Sequence, residues 1–168
     1  PTSDEGASYA GAVQAFSLER PCGEQTDLRC FGANYCSNAP DSSGAGAVMD
    51  SAGSLSILAN DFTLQVRRGV PGEKGFFFYG AQPVELPFGD GWLCVGGTAF
   101  RLLPLVTMVQ ADAHAERRLD FTQPPANSGP GQILPFRSWY FQFWYRDPMG
   151  PLGTGFNLSN GLMVEFCP

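Results

Sequence analysis

Between Ser138 and Tyr145 almost every position holds an aromatic or other β-forming side chain. In an extended chain, successive side chains point to opposite faces. Trp139, Phe141, Phe143 and Tyr145 then share one face, while Tyr140, Gln142 and Trp144 share the other. Aromatic residues on both faces predict a central strand covered on both sides. Arg146-Asp147-Pro148 ends it, because proline has no N–H for a ladder and restricts the residue before it. A second strand is predicted over Leu162–Cys167, after a Gly-rich loop.

Elsewhere the pattern is strand, turn, strand. Phe62, Leu64 and Val66 alternate with Thr63, Gln65 and Arg67, the signature of a half-buried strand. The apolar run 75–80 predicts a buried strand, and 83–87, with prolines at both ends, predicts an edge strand. Further strands are predicted over 47–51, 54–58, 92–95, 99–103, 105–109 and 118–122, with Gly, Pro, Asn or Asp turns between many of them. Ser8–Leu18 predicts a first strand, or a short helix, since Ala and Gln also form helices. Residues 21–46 are rich in Cys and turn formers, and little regular structure is expected there. Strands about ten residues apart with turns between them predict an all-β fold: an antiparallel β-sandwich of jelly-roll type. The expected organisation is a sandwich domain over 36–168 preceded by an extension over 1–35, made of one strand and the Cys-rich segment.

Composition reinforces this picture. The 168 residues include 21 glycines and 14 prolines, and only 15% are charged, which favours many short strands over helices. A formal charge of -6 argues against nucleic acid, which needs a concentrated basic surface. No apolar window of about 18 residues is present, so no membrane-spanning helix is predicted. Pro1–Glu5 is polar and reads as a processed start, not a signal peptide. The five cysteines, Cys22, Cys30, Cys36, Cys94 and Cys167, lack the paired spacing of a zinc ribbon. Scattered cysteines in a loop-rich chain favour disulfides and an exported protein. Five is odd, so one thiol is free or pairs between chains.

Several segments together carry a resemblance. They are Tyr35-Cys-Ser-Asn with 41–47, 52–56 with 59–64, Phe77-Phe-Tyr-Gly, 87–97 with Arg101-Leu, 141–148 and 156–161. In order and spacing the set resembles an uncharacterised module near the C-termini of exported proteins of planctomycetes, myxobacteria and related Gram-negative bacteria. The resemblance covers about residues 35–168. It implies an extracellular or cell-surface setting, with Cys36, Cys94 and Cys167 belonging to the module and Cys22 and Cys30 to the extension. It brings no catalytic residues.

Candidate chemistry is sparse. A Ser-His-Asp triad would have to use His114, the only histidine, and no Gly-x-Ser-x-Gly elbow is present. Asp90, Asp120, Asp147 and Glu165 lie on strands or at their ends and could supply a carboxylate pair for a polysaccharide hydrolase or lyase. Asp61, Asp90, Asp147 and Asn157, with Asn60, are oxygen donors in or beside turns and could hold calcium; ordinary Asx turns use the same residues. Trp92, Tyr140 and Trp144, with Tyr79, could stack against sugar rings, whereas Trp139 and Phe141 are expected in the core. Asn157-Leu-Ser159 matches a glycosylation acceptor, discounted for a bacterial exported protein. Three functions remain in view. The first is a non-catalytic extracellular module that binds a glycan or cell-surface component. The second is a structural subunit of a filament or surface layer, built as a homo-oligomer by adding the N-terminal strand to a neighbour's sheet. The third is a polysaccharide-active enzyme.

Overall fold

The structure, a computed structural model, describes residues 30–168. The predicted strand over 8–18, Cys22 and most of the expected extension lie outside the described residues. Twelve strands lie among the described residues: β1 (Phe31–Tyr35), β2 (Val48–Ala52), β3 (Thr63–Arg67), β4 (Lys74–Gly80), β5 (Gln82–Phe88) and β6 (Gly91–Gly96) come first. They are followed by β7 (Phe100–Arg101), β8 (Thr107–Met108), β9 (Ala115–Arg118), β10 (Ser138–Asp147), β11 (Gly155–Leu158) and β12 (Gly161–Glu165). One 3-10 turn at Gly129–Gly131 interrupts the long loop before β10. The chain is an all-β antiparallel sandwich, as its alternation predicts.

The large sheet has seven strands in the order β1-β12-β10-β4-β7, with β11 on β10 and β8 on β4. The aromatic strand β10 is central: it pairs with β4 on one side and with β11 and β12, end to end, on the other. Its inner residues Trp139, Phe141, Phe143 and Tyr145 are buried. They meet Met49, Leu64, Val66 and Ala115 from the second sheet, β2-β3-β9, in one core. Gly75 is required where β4 crosses β10, since a Cβ there would lie 2.3 Å from the Phe143 ring. The opposite face of the large sheet is partly covered by the β5-β6 hairpin, through Phe78, Val95 and Leu158. Both prolines of β5 are accommodated because this strand pairs with β6 alone, with a bulge between Pro83 and Leu86.

The structure differs from the sequence reading in four places. Phe31–Tyr35, within the stretch expected to be irregular, is the outer strand of the large sheet, paired with Gly161–Glu165. Its first four residues are exposed, so no inward alternation marks it. Residues 54–58 form a turn, not a strand: Ser54 Oγ accepts the Ser56 N–H and Asp61 Oδ1 accepts the Ser54 N–H. Such local bonds compete with a ladder, and only Ser56 bridges to Cys167. The strand expected over 118–122 lies earlier, at Ala115–Arg118, because Asp120 turns the chain by accepting both the N–H and the hydroxyl of Thr122. The two strands expected around Pro104 shrink to two residues each, both on β4.

Among the described residues, two disulfides brace the sandwich. Cys30 pairs with Cys167 and Cys36 with Cys94, with Cα–Cα separations of 5.5 and 6.0 Å. The first joins a cysteine expected in the extension to one expected in the module. Among the described residues, no helix is long and apolar enough to cross a membrane.

Candidate functional site

The outer face of the large sheet carries a row of half-buried rings. The even-numbered positions of β10 and β4 point to this face, so Trp144 and Phe76 sit opposite one another in the ladder. Their rings stack at 5.1 Å, and Trp144 stacks on Phe156 of β11 at 5.6 Å. The row continues to Phe88, edge-on to Phe156 at 5.2 Å. At the other end the Arg101 guanidinium of β7 lies over Phe76, 4.5 Å from the ring centre. Stacking places Phe76 and Phe156 against the Trp144 ring.

The hairpin lies beside this row and is fastened by Gln142, which sits between Tyr140 and Trp144 and is fully buried. Its Oε1 accepts the Cys94 N–H at 2.9 Å, and its Nε2 donates to the Trp92 and Ser159 carbonyls at 2.7 Å each. Sequence reading assigned no role to Gln142; the one signal was a lone amide in an aromatic strand. Tyr140, half-buried, packs edge-on against Tyr35 at 5.3 Å. The Tyr35 hydroxyl donates to the Cys94 carbonyl, and burial, with Tyr140 adding to it, raises its pKa. Trp92 is half-buried but stands apart: Leu93 and Val95 pack toward the sheet, so Trp92 takes the other face of β6. Tyr79 is fully buried in the core, its hydroxyl bonded to the Gly131 carbonyl, and offers no surface to a sugar.

A polar cluster lies at the β10-β11 end. Three of the expected calcium donors, Asp90, Asp147 and Asn157, come together here, joined by Asp41. Asp90 holds the 150–154 loop by accepting the N–H groups of Leu152 and Thr154 and the Thr154 hydroxyl. Burial opposes its ionisation, but the bonds from Thr154, Leu152 and Gly153 outweigh that and hold its carboxyl below its ordinary value. Asp147 Oδ2 accepts the Ser42 N–H at 3.0 Å, while its Oδ1 is buried without a partner. Asp41 Oδ1 closes its own turn through Ser43 and Gly44, and its Oδ2 accepts the Tyr145 hydroxyl at 2.9 Å. Burial first, then Asp41, raises the Tyr145 pKa. A Cβ at Gly150 would lie 2.2 Å from Asp90 Oδ2 and 2.8 Å from Asp147 Oδ2, so glycine is needed between the two carboxylates.

These oxygens serve chiefly the protein's own donors. Among the described residues, no three His, Cys, Asp or Glu side chains are grouped as a metal ion would require. Asp61 is not part of the cluster: it is exposed and caps Ser54. Asn60 ties Asp120 to the Phe121 N–H. Asp90 and Asp147 also fail as a catalytic pair, being only 4% and 0% exposed, beyond the reach of a polymer. Asp120 is occupied by Thr122 and Asn60, which hold its carboxyl below its ordinary value. Glu165 lies on the outer face of β12 opposite Ser138. His114 sits in the turn between β8 and β9, where the Gln110 N–H donates to its carbonyl. Asn157 is fully buried, with its amide donating to the Pro40 carbonyl, so the folded chain presents no glycosylation acceptor there.

Fold and site define an all-β, disulfide-braced sandwich with an aromatic outer face. Comparison with protein-family models, curated proteins and solved structures finds no match to this chain.

Proposed function

We propose that this protein is a non-catalytic, exported module that binds a glycan or cell-surface polymer along the outer face of its large sheet. One observation carries the reading: the row Phe76, Trp144 and Phe156 runs across three strands and stays partly exposed beside the hairpin. Apolar ring surface next to polar and charged side chains suits the mixed surface of a sugar polymer. The two disulfides and the resemblance to exported modules support an oxidising, extracellular setting.

The test is retention of the folded protein on a panel of insoluble polysaccharides and glycan arrays. Trp144→Ala should weaken retention about fivefold or more, as truncating a central aromatic anchor does. Trp144→Phe, which keeps the stack, separates lost binding from lost folding. Trp92→Ala alters the opposite face of the hairpin and should leave retention unchanged. Blank panels with correctly folded protein would sink the reading.

The assembly reading draws its support from the open edge of β1, which has no neighbour on its outer side among the described residues. The strand expected to do the pairing lies outside the described residues. A native species larger than a monomer by light scattering would favour this reading.

A further inference from the structure

We infer that the polymer bound at the aromatic row is anionic, a polysaccharide bearing carboxylate or sulfate groups; this rests on the reading above. The chain as a whole is acidic, with ten Lys and Arg against sixteen Asp and Glu, and has a single lysine, Lys74. That lysine and two of the arginines border this one row. Lys74 precedes Phe76 by two residues on β4, so both point outward, and Lys74 is exposed. Arg146 follows Trp144 by two on β10, faces the same way, and pairs across the ladder with Phe156. Arg101 caps the far end over Phe76. None of the three has a salt-bridge partner among the described residues, where the one ion pair joins Arg67 to Asp50.

The acids near the row do not cancel these charges by direct pairing. Asp90 and Asp147 are buried and bonded to backbone N–H groups. Glu165 shares the outer face but lies at the opposite end of β10, across from Ser138. The rings need not oppose this sign, because their faces are partly covered. An aromatic ring is negative on its faces and positive at its edge. The stack covers ring faces with neighbouring rings and, at one end, with the Arg101 guanidinium. Three exposed cations therefore border the row, complementary to repeated anionic groups on an extended chain.

The experiment compares binding of the full chain to polygalacturonate and alginate, to dextran sulfate, and to neutral dextran and cellulose, over a range of salt. Binding to either anionic class that weakens as salt rises is the expected result, and the two arms tell carboxylate from sulfate. Arg101→Gln, Arg146→Gln and Lys74→Gln should each reduce affinity about two- to fivefold and flatten the salt dependence. Binding confined to neutral polymers, or unchanged in the three variants, would overturn the anionic assignment while leaving the glycan reading intact. Absence of all glycan binding would overturn both. Capture of a single-stranded oligonucleotide with no polysaccharide bound would also overturn the assignment.

Discussion

Gln142 shows how much one polar side chain can hold. It satisfies an N–H and a carbonyl on β6 and a carbonyl in the turn between β11 and β12. Gln142→Leu keeps the volume but leaves those groups unpaired, each costing about 1–3 kcal/mol when buried. Urea unfolding should show a loss of about 3 kcal/mol or more, with the β5-β6 hairpin losing amide protection first. A loss under 1 kcal/mol would mean that apolar contacts, the Cys36–Cys94 bridge and the Tyr35 bond hold the hairpin without Gln142. At this scale parity was readable: Trp139 and Phe141 inward, Tyr140 and Trp144 outward. Which rings stack on Trp144 was not, because Phe76 and Phe156 are distant in sequence and adjacent only across the ladder.

Among the elements, the 150–154 loop depends on a carboxylate from another part of the chain. Folding lowers the Asp90 pKa, so the folded state prefers the ionised form. The stability this supplies is fully present above the ordinary carboxylate range and is lost as pH falls through the lowered value. The melting temperature of the native protein should therefore exceed that of Asp90→Asn most clearly at neutral pH. The gap should close in acid, below about pH 4. A gap that stays constant with pH would assign the difference to packing. Strands with one buried face, such as β3, were legible because alternation encodes them. The strand β1 was not, since an edge with exposed Gly, Ala and Asn has no alternation to read. Residues 54–58 misled for the opposite reason: apolar residues are present, but Ser54, Ser56 and Asp61 bond locally and fold them into a turn.

Across the whole molecule, the sandwich was visible in the spacing of strands and turns, while the pairing of cysteines was not, because connectivity depends on which distant segments meet. Cys30–Cys167 spans 137 residues and Cys36–Cys94 spans 58. Loop-closure entropy makes the longer link more stabilising by about 0.8 kcal/mol. Replacing Cys30 and Cys167 by alanine should thus lower the urea midpoint more than replacing Cys36 and Cys94. The reverse order would point to the Cys36 link as the one that keeps the hairpin in place.

The Cys30–Cys167 bond also governs how the domain meets mechanical load. Tension entering before residue 30 and leaving after residue 167 crosses one covalent bridge. The hydrogen-bonded ladders between those points carry none of it. Stretched from its two ends, the oxidised domain would act as an inextensible link and keep its aromatic outer face intact under pull. Reduction would turn the same chain into a long, yielding tether.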